Sequence, residues 1–258
     1  MTDMLRPLDG RTAIVTGGGT GIGRAIAECF AAAGAHVVVA GRSRTTLDDV
    51  ARRIGGIAVA CDVTKLAEVE ALFTTARHDT GRVDILVNNA GVTGPIGGVA
   101  EVDLAAWREC IEINLFGALH CLRVAARIMT EQKSGAIINM SSRMGLHGYP
   151  MRSAYCATKF ALIGITESLA RELGPHGVRV NALCPGAVSG ELMDRVIARR
   201  ASAENRPPEQ IIKESYTDTS ALRRWVDPRE VAAAALFLAS DAGSAITGDR
   251  IKVDAGRF

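Results

Sequence analysis

Residues 12–23 read Thr-Ala-Ile-Val-Thr-Gly-Gly-Gly-Thr-Gly-Ile-Gly, and this stretch decides the fold. Its first five residues form a β-branched, apolar run, which predicts a buried strand at 12–16. The glycines predict a tight turn, and the pattern after them predicts a helix over about 22–33. Glycine lets the main chain approach a pyrophosphate, and a helix N-terminus favours that anion. A glycine-rich turn alone also occurs in ordinary loops, but here it has the strand and helix that dinucleotide binding requires.

Strands and helices alternate along the rest of the chain. Short apolar runs predict further strands at 36–40, 57–61, 83–87, 135–140, 178–184 and 247–254. Amphipathic patterns predict helices at 45–54, 65–80, 103–131, from 155 onward and at 228–240. This order predicts a single α/β domain over residues 1–258, with a Rossmann-like, doubly wound parallel sheet and helices on both faces. The polar segment at about 187–226, with two short helices expected around Pro207-Pro208, is the predicted substrate lid.

Ser142, Tyr155 and Lys159 carry the chemistry of a proton-transfer site. Tyr155 and Lys159 are four positions apart in a helical pattern, so their side chains share one face of the helix. A phenol with a pKa of about 10 is a poor base at neutral pH, and a fixed ammonium beside it lowers that pKa. Ser142 can hydrogen-bond the oxygen that Tyr155 protonates or deprotonates. The spacing alone occurs often by chance in surface helix pairs, so the interpretation depends on the other motifs.

Four motifs together resemble the short-chain dehydrogenase/reductase family, whose common form is about as long as this chain. They are the glycine turn, Asn88-Asn89-Ala90-Gly91, the set Ser142…Tyr155-x-x-x-Lys159, and Pro185-Gly186, in the family's order and spacing from about residue 9 to 256. The resemblance implies hydride transfer between NAD(P) and a secondary alcohol or ketone. It makes Tyr155 the general acid/base and Ser142 the group that orients the substrate oxygen. It also gives Lys159 two roles, lowering the pKa of Tyr155 and holding the nicotinamide ribose.

The resemblance also implies the cofactor contacts and the assembly. The expected contacts are Gly17, Thr20, Gly21, Ile22, Gly23, Arg42, Asp62, Val63, Asn89, Ala90, Gly91, Tyr155, Lys159, Pro185, Gly186 and Val188. In this set the carboxylate of Asp62 contacts the adenine amino group, and the main chain of Val63 contacts the adenine. The small-molecule substrate is the main partner, and a homotetramer, or else a homodimer, is expected.

Two positions are less well defined by the resemblance. Asn114 is expected to hold a water that links Lys159 to solvent in a proton relay, with a core amide satisfied by the main chain as the alternative. The family usually has threonine where Gly190 stands, near the nicotinamide amide. Ser189 is expected to replace it there, or the main chain of Val188 to make the contact alone.

The residues at the end of the second predicted strand indicate which of NAD and NADP is preferred. NAD-binding sheets usually place a carboxylate there to hold the adenosine ribose diol. This chain has Gly41, Arg42 and Arg44 instead, so it offers guanidinium groups and no carboxylate. A ribose phosphate suits a planar, bidentate donor. The sequence therefore favours NADP, with NAD as the alternative if Arg42 is a solvated turn residue or stacks on the adenine.

Composition excludes several other classes of protein. The chain has 258 residues, 48% hydrophobic and 22% charged, and a net charge of +2, which gives no case for nucleic acid or an anionic membrane. The six cysteines are scattered, mostly in apolar stretches, so buried free thiols are expected rather than disulfides or metal ligands. No apolar run has the length of a membrane span, and residues 1–10 lack the apolar core of a signal peptide. We therefore expect a soluble, cytoplasmic protein without a metal.

Other functions remain compatible with this fold. A non-catalytic NAD(P)-binding regulatory or scaffolding protein is the main alternative, although both Tyr155 and Lys159 are present. An epimerase or dehydratase is a further alternative, and no second acid/base set supports it. Arg143, Arg152 and His147 lie close in sequence to the predicted catalytic groups and could hold an acidic substrate group, whereas ordinary surface or interface positions are the alternative.

Overall fold

The chain folds around one parallel sheet. The structure, a computed structural model, describes residues 6–257, except for seven side chains between positions 191 and 204. The strands are β1 (Thr12–Thr16), β2 (His36–Gly41), β3 (Ile57–Ala60), β4 (Ile85–Asn88), β5 (Gly135–Met140), β6 (Val178–Pro185) and β7 (Arg250–Val253). They pair in the order β3-β2-β1-β4-β5-β6-β7, and each neighbouring pair is parallel.

Helices connect the strands and cover the sheet. They are α1 (Gly21–Ala32), α2 (Arg44–Ile54), α3 (Leu66–Arg77), α4 (Leu104–Ile111), α5 (Gly117–Gln132), α6 (Ser153–Leu173), α7 (Glu191–Glu204), α8 (Pro208–Ile212) and α9 (Pro228–Ala239). Because side chains alternate along a strand, Val15 and Val39 join one apolar core with α1, α2 and α9. Ile14 and Val38 point the other way and join a second core with α3, α5 and α6. The predicted doubly wound α/β domain with helices on both faces is confirmed.

The order of the strands in the sheet changes direction at β1, and this change determines where the candidate site lies. Strand β1 pairs with β2 on one side and with β4 on the other, for example through Ile14 opposite Leu86. The chain leaves the carboxyl ends of β1 and β4 in opposite directions, which opens a crevice between the turns that follow them. The glycine turn and Asn88-Asn89-Ala90-Gly91 are those two turns, so the fold brings both sequence motifs to one edge of the sheet.

One long helix was predicted at 103–131, and the structure differs. Between α4 and α5, the segment Glu112–Phe116 is π-helical, so the α-helix is interrupted by a wider turn. Such turns place an extra residue in the helix and often occur at functional sites. Asn114 lies in this turn, and its side chain bonds to the main chain of Val92 in the loop after β4. Asn114 and Val92 are far apart in the sequence, so the local residue pattern does not show their contact. That pattern therefore predicted a regular helix through this turn.

The segment at 187–226 is attached to the sheet at both ends. Its first helix, α7, spans fourteen residues and is longer than the two short helices predicted there. Val188 forms a bridge with Val226, and the main-chain N–H of Ala221 donates to the oxygen of Gly256 at 3.0 Å. These bonds hold the base of the segment against the carboxyl end of β6. Its role as a substrate lid stays a prediction.

Residues 6–257 offer neither disulfides nor an evident metal site. All six cysteines are free, and five of them are buried. Among these described residues, no group of three or more His, Cys, Asp or Glu side chains could hold a metal ion. No helix in the same part of the chain is long and apolar enough to cross a bilayer.

Candidate active site

The glycine turn forms an open cradle at the start of α1. A Cβ on Gly17 would lie 2.9 Å from Asn89 Nδ2, and one on Gly23 would lie 2.2 Å from the Gly17 main-chain oxygen, so both positions require glycine. Gly21 has a φ of +53°, and the space beside it is open, with nothing within 4 Å of an added Cβ. Thr20 is exposed and precedes the first turn of α1, whose N–H groups have no partner within the helix. This cradle fits the pyrophosphate of a dinucleotide.

Asn89 fastens the glycine turn to the end of β4. Its Nδ2 donates to the main-chain oxygens of Thr16 at 2.9 Å and Gly17 at 3.2 Å. The main-chain N–H groups of Asn89 and Ala90 both donate to the Thr16 hydroxyl at 3.0 Å. Sequence reasoning missed Thr16, although a polar residue that ends an apolar strand before a glycine turn is a usable signal. The two predicted cofactor motifs therefore form one hydrogen-bonded unit.

At the end of β2 the two predicted arginines differ in their surroundings. Arg44 Nε donates to both carboxylate oxygens of Asp48, at 2.8 and 2.9 Å, so this guanidinium is already paired. Arg42 is exposed. Hydrogen bonds from Thr64 hold the pKa of Asp62 below its usual range, and the charge of Arg42 contributes to the same shift. Arg42 and the ionised Asp62 thus lie close enough to influence each other at the adenosine end of the crevice.

Val63, predicted to contact adenine, is buried against α5. A Cβ on Gly117 would lie 2.5 Å from Val63 Cγ2, so the absence of a side chain there allows α5 to approach closely. His120 Nδ1 lies 2.9 Å from the Val63 main-chain oxygen. His120 was not predicted, because nothing in its own sequence neighbourhood indicates that it reaches the loop after β3. The contact between Val63 and adenine stays a prediction.

Ser142 and Tyr155 meet beyond the carboxyl end of β5. Tyr155 lies on the first turn of α6 and is partly buried. Burial raises its pKa, while a hydrogen bond from Ser142 and the positive charge of Arg152 act in the opposite direction. The guanidinium carbon of Arg152 lies 5.2 Å from the centroid of the Tyr155 ring. The predicted hydroxyl pair is therefore assembled, and the phenol keeps its proton at neutral pH.

Lys159 lies next to Tyr155 and is itself buried. Its Nζ is 5.4 Å from the Tyr155 ring centroid and donates to the Met140 main-chain oxygen at 2.7 Å. Burial lowers the pKa of Lys159 to about 8. Burial and the charge of Arg152 are the stronger influences on the pKa of Tyr155 in this structure, and a lowering of that pKa by Lys159 stays a prediction. The neighbouring Ser141 is structural, since its hydroxyl donates to the Lys159 main-chain oxygen at 2.8 Å.

Asn114 is buried and bonded to the loop after β4. Its Oδ1 accepts from the main-chain N–H of Val92 at 2.7 Å, and its Nδ2 donates to the Val92 oxygen at 2.9 Å. Nδ2 also lies 3.3 Å from the hydroxyl of Thr158, which in turn donates to the Tyr155 main-chain oxygen at 2.8 Å. The amide thus connects its own π-helical turn with the loop after β4 and with α6, in the manner of the core-amide alternative. A proton relay through a water at Asn114 stays a prediction.

The predicted nicotinamide contacts follow β6. Pro185 ends that strand, and the main-chain N–H of Gly186 donates to the Val253 oxygen at 3.0 Å. The N–H of Ser189 donates to the Val226 oxygen at 2.9 Å, and the Ser189 side chain is exposed. These residues stand at the same edge of the sheet as the glycine turn, which is the location that a contact with nicotinamide requires.

Comparison with known proteins identifies the family. A family model described as Enoyl-(Acyl carrier protein) reductase matches residues 17–257. The short chain dehydrogenase/reductase astE of Aspergillus oryzae is 37% identical over 256 residues, covering 96% of this chain and 95% of that protein. The chain belongs to the short-chain dehydrogenase/reductase family. Membership confirms the resemblance predicted from the four motifs.

Other members of the short-chain dehydrogenase/reductase family agree with this assignment. The D-beta-hydroxybutyrate dehydrogenase of Rhizobium meliloti is 35% identical over 253 residues, covering 95% of this chain and 98% of that protein. The crystal structure of an NAD+-bound xylitol dehydrogenase superposes with a TM-score of 0.90 at 30% identity, over 96% of this chain and 99% of that one. This short-chain dehydrogenase/reductase is therefore an oxidoreductase of the alcohol dehydrogenase type.

Proposed function

We propose that this protein catalyses reversible hydride transfer between NAD(P) and a secondary alcohol or ketone, with Tyr155 as the general acid/base. The observation that carries the proposal is the position of Tyr155 on α6, where the Ser142 hydroxyl acts on its pKa and the Lys159 Nζ lies 5.4 Å from its ring centroid. A dinucleotide in the glycine cradle would extend along the carboxyl edge of the sheet toward this pair. The relatives named as dehydrogenases support the same reaction class.

Each side chain has a distinct part in the proposed reaction. Ser142 holds the substrate oxygen by a hydrogen bond, and Tyr155 gives it a proton during ketone reduction or removes one during alcohol oxidation. Lys159 supplies a positive charge beside the phenol and a donor for the ribose of the cofactor. The nicotinamide, when bound, supplies or accepts the hydride. Because burial raises the pKa of Tyr155, the phenol is ready to donate at neutral pH, which favours ketone reduction.

The decisive experiment is a panel of secondary alcohols and ketones assayed with NAD and NADP by nicotinamide absorbance. The proposal expects turnover of at least one compound, with oxidation favoured at high pH and reduction at neutral pH. Tight cofactor binding together with complete inactivity over a broad panel would instead favour a regulatory or scaffolding protein.

We further propose that NADP is the preferred cofactor. Arg42 is exposed at the end of β2, and Gly41 offers no carboxylate to bind a ribose diol or to repel a phosphate. The NAD+ in the related xylitol dehydrogenase structure keeps NAD as the alternative. A charge-assisted hydrogen bond to a phosphate contributes about 1.5–3 kcal/mol, which is roughly a ten- to hundredfold preference, less for a solvated arginine.

The substitution Arg42→Ala tests this preference. It is expected to lower kcat/KM for NADP at least several-fold and to leave kcat/KM for NAD nearly unchanged, because only NADP carries the phosphate. Gly41→Asp should shift preference toward NAD by adding a diol acceptor and a like charge beside the phosphate. Steady-state kinetics with both cofactors measure these effects.

Arg44→Ala is the matched control, since Arg44 is the neighbouring guanidinium and is already paired with Asp48. It should change the ratio of the two kcat/KM values little. A wild-type protein that strongly prefers NAD under matched conditions would refute the assignment and would mean that Arg42 points away from the ribose.

We also propose that the protein assembles as a homotetramer or a homodimer. Helices α4, α5 and α6 expose large apolar side chains, namely Leu104, Leu119 and Phe160. A second copy that covers these residues would remove apolar surface from water. Light scattering of the purified protein should give the mass of two or four chains, and a monomer at all concentrations would contradict the proposal.

A further inference from the structure

Arg152 lies between the proposed catalytic tyrosine and the loop that follows β4. Its guanidinium carbon is 5.2 Å from the Tyr155 ring centroid, and its Nη2 donates to the Thr93 main-chain oxygen at 2.9 Å. The side chain is only partly buried. The guanidinium is thus held within reach of a molecule whose oxygen is bound to Tyr155.

The charge of Arg152 has no carboxylate partner in the described part of the chain. Several other arginines in this part form ion pairs, such as Arg24 with Glu28 and Arg250 with Glu167. Arg152 instead has one bond to a neutral carbonyl, and its Nε is buried without any hydrogen-bond partner. Leaving a charged donor unsatisfied in a buried position is unfavourable, and an incoming anion would remove that penalty.

The surroundings of Arg152 are positively charged. The ammonium of Lys159 also lies near the Tyr155 ring, 5.4 Å from its centroid. Arg143 is also buried, donates to the hydroxyl of Tyr149 at 3.2 Å, and has an Nε without a partner. Arg152 and Lys159 both act on a charge that enters beside Tyr155, so an anionic group is attracted and a cationic group is repelled.

The main chain before Arg152 is held in an unfavourable conformation. Met151 has a φ of +63°, the left-handed region that residues other than glycine rarely adopt. The Gly97 N–H donates to the Met151 oxygen at 3.0 Å and fixes this conformation. Strain of this kind persists only where the surrounding structure imposes it, and it often occurs at ligand sites. Here it sets the direction in which Arg152 leaves the chain.

We propose that the physiological substrate is a small hydroxy acid or the corresponding keto acid, and that Arg152 binds its carboxylate. This inference rests on the proposed function and adds the substrate class. In the oxidation direction, the carbinol C–H bond gives a hydride to the oxidised nicotinamide and the O–H proton goes to Tyr155, while the C=O bond forms. The carboxylate is unchanged throughout. The short distance between Arg152 and Tyr155 restricts the two substrate groups to a separation of a few bonds.

Matched pairs of keto compounds test the inference. The probes are 2-, 3- and 4-oxopentanoate and their methyl esters, which have the same carbon skeleton and differ in charge. The wild-type protein should reduce at least one acid with a kcat/KM about ten- to hundredfold above that of its ester. Arg152→Met should remove this preference by raising KM for the acid but not for the ester, whereas the loss of its charge beside Tyr155 should change kcat for acid and ester alike. Arg152→Lys, which keeps the charge, should retain part of it.

Arg179→Met is the matched control. Arg179 also has a buried guanidinium nitrogen without a partner, but it lies near the start of β6, at the opposite edge of the sheet. Its replacement should leave the preference for acid over ester intact. If Arg152 only positions Tyr155, Arg152→Met will instead leave KM for the acid unchanged, lower kcat for acid and ester equally and shift the pH profile of both.

The outcomes separate this inference from the proposed function. Equal kcat/KM for every acid and its ester, with turnover of neutral ketones, would overturn the carboxylate site and leave the proposed reaction standing. Equal losses of kcat/KM for acid and ester in Arg152→Met would also overturn it. Inactivity toward acids, esters and neutral ketones alike would refute the proposed function and the inference together. If Arg152→Met does not fold, the wild-type preference and Arg152→Lys still decide the question.

Discussion

Replacing Tyr155 by phenylalanine is expected to lower kcat by about a thousandfold, because general acid–base catalysis contributes about 10²–10⁴ in rate. The substitution removes one hydroxyl and keeps the ring, so packing on the first turn of α6 should persist. Cofactor affinity should change little, since the glycine cradle and Lys159 remain. Stopped-flow or steady-state kinetics measure the rate, and titration by nicotinamide fluorescence measures the affinity.

The pH dependence provides a second test of Tyr155. Burial raises the pKa of this phenol, so alcohol oxidation, which needs the phenolate, should become faster as pH rises above neutral. Ketone reduction, which needs the phenol, should be fastest at neutral pH and slow at high pH. Ser141→Ala is the control, because it also removes a single hydroxyl group. The hydroxyl of Ser141 bonds to the main chain of Lys159 rather than to Tyr155. A Tyr155→Phe protein with near wild-type kcat would show that the mechanism is wrong.

Replacing Lys159 by methionine is expected to lower kcat by about a hundredfold or more and also to weaken cofactor binding about tenfold. Methionine fills a similar volume but lacks the ammonium, so both the charge beside the phenol and the donor for the ribose are lost. The loss of two functions distinguishes this variant from Tyr155→Phe, which should lose only turnover. Unchanged cofactor affinity would exclude the predicted ribose contact.

The same substitution should change stability in a pH-dependent way. Burial lowers the pKa of Lys159 to about 8, whereas the unfolded chain has a value near the ordinary 10.5. Between these values the unfolded state binds more protons, so the stability of the wild type rises with pH. Below about pH 8 the wild type carries the full penalty of the buried charge, about 3 kcal/mol, and above about pH 10.5 it carries none.

Denaturant unfolding of wild type and Lys159→Met at several pH values measures this effect. The free energy of unfolding of the wild type, relative to the variant, should rise by about 1.4 kcal/mol per pH unit between about pH 8 and 10. Both proteins share their other titrating groups, so those contributions cancel. A difference that is constant over this range would mean that the ammonium is not desolvated in the folded protein.

The sequence by itself determined the fold and the identity of the proposed reacting groups. The glycine turn between β1 and α1 depends on local conformation, since Gly17 and Gly21 have positive φ angles that other residues rarely adopt. The Tyr155-x-x-x-Lys159 spacing follows from helix geometry, which is also local. Periodicity likewise predicted the strands, because a doubly wound sheet buries them on both faces and leaves continuous apolar runs.

Only the tertiary structure decided which groups surround Tyr155 and what they do to it. Arg152 was found 5.2 Å from the centroid of the Tyr155 ring, and Asn114 was found bonded to Val92. Thr16 and His120 were missed because their partners, Asn89 and Val63, lie far away in the chain. The physical reason is that a pKa depends on burial and on distances through space, and neither quantity is a property of a local stretch of residues.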